Sequence, residues 1–145
     1  MGAKWQKIDL EVPPDFTPRQ RKKVADLVID HIITRTKNGK DKDGDKFPGY
    51  SEEYIRSLDF KIGGKSKSRV DLTLSGDMLA SLDLISDGRG RIRIGFEKGS
   101  EENARADGNI RGTYGKDSPD ANKARDFLGV EPNVLRKIIR EVETE

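Results

Sequence analysis

Leu82-Asp83-Leu84-Ile85-Ser86-Asp87-Gly88-Arg89-Gly90-Arg91-Ile92-Arg93-Ile94-Gly95-Phe96 reads as two short strands joined at Asp87-Gly88-Arg89-Gly90. Leu82 and Leu84 on one side, and Ile92, Ile94 and Phe96 on the other, recur at every second residue, the period of a strand that buries one face. The glycine-bearing connection between them suits a hairpin. On the second strand Arg91 and Arg93 fill the alternate positions and share the other face, with Arg89 joining them at the turn. Such a row can touch phosphates; equally, charged residues are the ordinary outward choice of a one-sided sheet.

Toward the N-terminus, Ile8, Leu10 and Val12 alternate with Asp9 and Glu11, another one-faced strand pattern, until Pro13 and Pro14 end it. Thr17-Pro18-Arg19-Gln20 then carries a capping box with proline at the first helical position. Val24, Leu27, Val28, His31 and Ile32 follow at i, i+3, i+4, i+7 and i+8, widened by Ile29 and Ile33, which predicts a helix from Pro18 to about Lys37, ending near Gly39. His31 lies on the apolar stripe and reads as a satisfied core histidine. Arg19, Arg21, Lys22 and Lys23 crowd the first turns, where the helix dipole disfavours cations, so an acidic partner or DNA is expected to want them there.

Between this helix and the hairpin the pattern is looser. Residues 39–49 form a polar, glycine-bearing loop, Ser51-Glu52-Glu53 opens a short helix with Tyr54, Ile55 and Leu58, and residues 63–68 are a basic link. Val70, Leu72 and Leu74 alternate as a strand up to Ser75, where Gly76 turns the chain. Beyond the hairpin, residues 101–106 form a short helix closed by Gly108, and residues 110–124 form a second long loop expected to order on contact. Pro132 then opens a helix with Leu135, Ile138, Ile139 and Val142 on one face. The sum is an α+β fold: a small, mainly antiparallel sheet with a long N-terminal helix and a C-terminal helix packed on one face. Residues 1–17 are an extended arm and residues 18–145 a single domain with long loops.

Composition bounds the function. The 145 residues suit one domain, and 32% hydrophobic against 37% charged residues implies a thin core, for which oligomerisation is a common remedy. The 28 basic and 26 acidic side chains leave a net charge of +2, too balanced to announce nucleic-acid binding by itself. No apolar run approaches the roughly 18 residues of a membrane span, and Met1 to Val12 lacks the apolar core of a secretory signal; a protein kept in a cytoplasm is expected. Zero cysteines exclude disulfides, thiolate zinc sites and cysteine nucleophiles, and one histidine leaves little for a triad. Asp41-Lys42-Asp43-Gly44-Asp45, with Glu52 beyond, places carboxylates at the first, third, fifth and twelfth positions of a calcium loop. The glycine that loop needs at its sixth position is replaced by Lys46. Gly88-Arg89-Gly90 matches no phosphate loop. No catalytic residue, cofactor site or metal site is expected, and the chain reads as a non-enzyme.

Three segments in order resemble one family. Gly44-Asp45-Lys46-Phe47-Pro48-Gly49-Tyr50-Ser51 is similar to a glycine, aromatic, serine loop after a first helix. Leu72-Thr73-Leu74-Ser75-Gly76-Asp77-Met78-Leu79-Ala80-Ser81-Leu82 resembles a leucine, threonine-glycine, small helix, serine-leucine segment. Arg125-Asp126-Phe127-Leu128-Gly129 matches an arginine-x-phenylalanine-leucine-glycine before a last helix. In this order they resemble the virion-morphogenesis and tail-completion family of tailed bacteriophages, which includes neck proteins. Where that family often carries a histidine before a late glycine, this chain reads Asn103-Ala104-Arg105-Ala106-Asp107-Gly108.

The resemblance implies a structural α+β subunit of the virion. It would be assembled in the host cytoplasm into a homo-oligomeric ring, a hexamer or dodecamer, around the DNA channel, as a tail terminator, tail-completion or head-to-tail connector protein. Its partners would be portal, adaptor or tail proteins, with non-specific contact to genomic DNA and none to membrane. On that reading Arg89, Arg91 and Arg93 face the channel DNA or an acidic neighbour. Trp5, Ile8, Leu10, Phe47, Tyr50, Tyr114 and Phe127 would supply inter-subunit or partner contacts from the arm and loops. The alternative from another class is a small DNA-binding accessory protein that uses the basic hairpin.

Overall fold

The computed structural model describes residues 3–46, 76–111 and 125–145. The hairpin forms where the alternation places it, as β2 (Asp83–Gly88) and β3 (Arg91–Gly95), with Gly90 at φ 80 in the turn. A third strand, β1 (Lys7–Glu11), pairs antiparallel with β3 and makes the sheet order β1-β3-β2. Its register sets Ile8 opposite Ile94, Asp9 opposite Arg93 and Leu10 opposite Ile92. Apolar side chains therefore share one face of the sheet and charged ones the other, because cross-strand partners project to the same side. Gly95 is required for this pairing: a Cβ there would sit 2.6 Å from the Gln6 carbonyl oxygen and 2.7 Å from Lys7 Cα. Between Leu84 and Ser86 the register shifts, a bulge that leaves Ile85 as the extra residue.

The apolar face is covered by α1 (Pro18–Lys37), which packs against β2 and β3. Both halves of its capping box are present: Gln20 N–H donates to Thr17 Oγ1 at 3.1 Å, and Thr17 N–H donates to Gln20 Oε1 at 2.8 Å. Val24, Val28 and Ile32 are fully buried beneath it together with Ile92 and Ile94. The C-terminal helix α4 (Pro132–Glu143) lies along α1 and buries Ile138 and Val142. A short α2 (Gly76–Ala80) contributes Met78 and Leu79 to the same core and touches α3 (Glu101–Arg111). The described architecture is α+β, a three-stranded antiparallel sheet with four helices.

Two local expectations change. α3 does not close at Gly108 but runs on to Arg111. Gly108 is not among the glycines with positive φ, and the turns on either side of it are tied by Asn109 to the Arg105 carbonyl and by Arg111 to Asp107. Within residues 1–17, expected as an arm, Lys7–Glu11 form the edge strand β1 that the alternation predicts, and Val12 and Phe16 are buried. The short helix expected after Ser51 and the strand through Val70, Leu72 and Leu74 lie outside the described residues, as does nearly all of the 110–124 loop.

Candidate functional site on the outer face of the sheet

Alternation along β1 and β3 leaves Lys7, Asp9, Glu11, Arg91 and Arg93 on the face away from α1. The three arginines singled out from the sequence do come together here, lining a shallow groove of about 300 Å³ with Asp9, Ser86 and Asp87. They are not equivalent. Arg93 forks onto Asp9, Nε to Oδ1 at 2.7 Å and Nη2 to Oδ2 at 3.3 Å, and this hydrogen bond draws the Asp9 carboxyl below its ordinary pKa. Arg89 and Arg91 are exposed and have no ion pair among the described residues. They border a second groove of about 670 Å³ with Glu11, Val12, Pro14 and Gly90. The free positive charge of the row thus lies at its hairpin end.

At the other end of the face stands Trp5, whose Nε1–H donates to the Phe96 carbonyl at 2.7 Å. Lys7 Nζ lies 5.3 Å from the ring centroid, and Arg93 Cζ and Lys98 Nζ each lie 5.5 Å from it. At those distances the ring's negative face attracts cations, so the indole gathers three of them beside the strand end. Trp5 is half-buried, and its ring is occupied by its own chain's cations. Lys7 and Lys98 escape a reading of the sequence because their gathering depends on β1 pairing with β3; for Lys7 the alternation with Asp9 and Glu11 was the available signal.

The other candidate contact residues are placed differently. Ile8 and Leu10 are half-buried against the core on the α1 side of the sheet. Phe127 is wholly buried, its ring edge-on to Phe96 at 6.2 Å and 80°, so in this fold it is a core side chain and not a surface for a partner. Phe47, Tyr50 and Tyr114 lie outside the described residues. The cations at the start of α1 also find uses within the chain. Arg21 bonds Asp87 at 2.8 Å and the Phe16 carbonyl at 2.7 Å, Lys22 reaches Asp26 at 2.8 Å, and Lys23 approaches Glu145 at 3.5 Å. No external partner is needed to account for those three.

Two buried polar nodes escaped the sequence reading. Arg35 is only 6% exposed and sits a turn beyond Ile32 on the buried stripe; a cation at that spacing was the signal. Its Nη2 donates to the Phe127 and Gly129 carbonyls at 2.6 and 2.9 Å, and its Nη1 to Glu131 Oε1 at 2.6 Å. The same Glu131 oxygen lies 3.0 Å from His31 Nε2. His31 is half-exposed rather than a core residue, because the α1 stripe turns it to the rim where Glu131 begins α4. Burial pushes the Glu131 carboxyl up, but its own backbone amide, His31 and Arg35 outweigh that and hold it below the ordinary value.

The acidic loop beside this node is closed on itself. Asp41 Oδ1 accepts from the Asp43 and Asp45 amides at 2.9 and 3.0 Å. Among the described residues no three acidic or histidine side chains converge as a metal site.

The second node stitches the N-terminal residues to α3. Asn103 Oδ1 accepts from the Gln6 amide at 2.8 Å and its Nδ2 donates to the Lys4 carbonyl at 3.1 Å. Asp107 accepts from Gln6 Nε2 at 2.9 Å and from both Arg111 Nε and Nη2, at 2.8 and 2.7 Å. Burial pushes the Asp107 carboxyl up, but Arg111, Gln6 and the Lys4 backbone more than offset it, so its pKa lies below the ordinary 3.8. A carboxyl depressed by folding contributes stability above its unfolded pKa and loses it as pH falls through the folded value. Asp107→Asn is therefore expected to cost about 2 kcal/mol at pH 7, with the gap to wild type narrowing toward about pH 3. Urea midpoints at the two pH values measure this, and an equal deficit at both would refute the charge-based account.

Among the described residues no helix is long and apolar enough to cross a membrane. No family model, curated protein or solved structure matches this chain.

Proposed function

We propose that this chain is a structural, non-enzymatic subunit of a tailed-bacteriophage virion, part of a neck or tail-completion ring around the DNA channel. It would join portal, adaptor or tail proteins as a tail terminator or head-to-tail connector. What supports the reading is that described residues of the second and third segments share one core, and that Lys42, two residues before the first segment, is held against the third. Lys42 donates its amide to the Asp126 carbonyl at 2.9 Å, and its ammonium pairs with Asp126 at 3.0 Å. Lys42 Cβ lies so close to Gly129 that a Cβ on the glycine would stand 2.8 Å away. Met78 and Leu79 of the second segment share a core with Phe127 and Leu128 of the third.

The test is direct. Purified virions should contain the polypeptide in a fixed copy number by quantitative mass spectrometry, and labelled particles should place it at the neck or tail end. Its absence from both mature and assembling particles would end this reading.

The second reading, a small accessory protein bound to DNA, is favoured by one observation: Arg89 and Arg91 are exposed and without an ion pair among the described residues. It requires duplex binding by the isolated protein that weakens steeply as salt rises.

A further inference from the structure

We infer that the turn bearing Arg89 and Arg91 docks into an acidic groove at the far end of the same hairpin on a second copy of this chain. The groove, about 360 Å³, is lined by Asp83, Leu84, Ile85, Gly95, Glu97 and Glu102, with Ser81 and Ser100 at its rim. Glu97 is exposed and Glu102 half-exposed, and neither has an ion pair among the described residues, whereas neighbouring Glu101 is taken by Arg105 at 2.8 Å. Asp83 caps the Leu84 amide at 2.8 Å and lies near Lys22. Ile85, extruded by the bulge, is a half-buried apolar side chain outside the core cluster. It offers the groove an apolar wall against which an arginine stem can lie while its head reaches a carboxylate.

Geometry keeps these charges from satisfying one another within one protomer. The groove opens at the Asp83 end of β2 and the arginines stand at the Gly88 end, roughly 15 Å apart at about 3.3 Å per residue. That exceeds the roughly 8 Å Debye length of physiological salt. Opposite free charges at opposite ends of one rigid hairpin can meet only between copies. A contact that joins different patches on the two partners is head-to-tail, and it closes into a ring when the rotation allows. Arginine forks suit paired carboxylates better than any single-point cation. The inference rests on reading the chain as a self-assembling subunit, and it adds which surfaces assemble.

The test reverses charge on each side, using the full chain with folding checked by circular dichroism. The variants are Arg89→Glu with Arg91→Glu, and Glu97→Arg with Glu102→Arg. Each pair of substitutions should weaken self-association, read by native mass spectrometry and light scattering, by about tenfold or more. An equimolar mixture of the two variants should regain it, because the reversed tip of one fits the reversed groove of the other. A wild-type oligomer that ignores both reversals overturns the docking while leaving self-assembly intact. A wild-type chain still monomeric at about 1 mM overturns both. If the arginine variant loses duplex DNA binding with its oligomer unchanged, the arginines serve nucleic acid and the docking is overturned.

Discussion

Arg35→Ala is expected to destabilise the protein by about 3–5 kcal/mol, the range for breaking a buried charged pair by removing one partner. Two carbonyls, of Phe127 and Gly129, lose buried donors, and Glu131 is left with His31 and its own backbone amide. Each unsatisfied buried acceptor costs about 1–3 kcal/mol. The Arg35 Nε has no acceptor among the described residues, so the native arrangement already carries a desolvation cost and the remaining bonds must outweigh it. For a chain of this length the loss corresponds to a fall in Tm of roughly 10–16 °C. Arg35→Lys should recover only part of it, because one ammonium cannot reproduce a planar fork onto two carbonyls and a carboxylate. Thermal denaturation measures the loss, and hydrogen exchange should locate it in faster exchange over residues 126–130 with the sheet amides little changed. A Tm within about 2 °C of wild type would show that Arg35 does not hold this segment.

That segment also shows where the sequence was readable. Local signals sufficed for α1, because Thr17 and Gln20 bond each other across three residues and the apolar stripe needs only helical spacing. The hairpin was equally legible, since alternation and a glycine turn lie within fifteen residues. Arg91 and Arg93 on one face follow from the same alternation. Which of them is neutralised does not: Asp9 meets Arg93 only because β1 takes one register against β3, more than eighty residues away. The carbonyls that Arg35 serves lie on residues 92 and 94 positions distant, and no periodicity carries that information. Gly108 misled for the related reason that a glycine's stop signal is a local prior, while the bonds on either side of it continue the helix. Likewise Phe127, which the resemblance places among the partner contacts, is buried against Phe96 just beyond β3, a contact no local pattern announces.

Phe127→Ala is the second large effect, about 3–5 kcal/mol, the usual cost of emptying a phenylalanine-sized site in a packed core. The ring is wholly buried and meets Phe96 edge-on at 6.2 Å, a geometry that adds about 0.5–1.5 kcal/mol beyond the buried area. Phe127 sits in residues 125–131, which form neither helix nor strand. The segment is held by the Phe127 and Leu128 side chains in the core, by the Arg35 bonds to its carbonyls, and by backbone bonds from Lys42 to Asp126 and from Arg125 to Asn109. A core this thin has few neighbours able to collapse into the gap. Phe127→Leu, which keeps most of the volume, should cost no more than about 1.5 kcal/mol. Because Phe127 and Arg35 secure one segment, their losses should not add. Once either anchor is gone the segment is partly released, and the double variant should fall short of the summed single effects by about 1 kcal/mol or more. Urea denaturation of the two single variants and the double variant closes this cycle. Strict additivity would mean that ring and guanidinium act on separate parts of the fold, contrary to the bond from Arg35 to the Phe127 carbonyl.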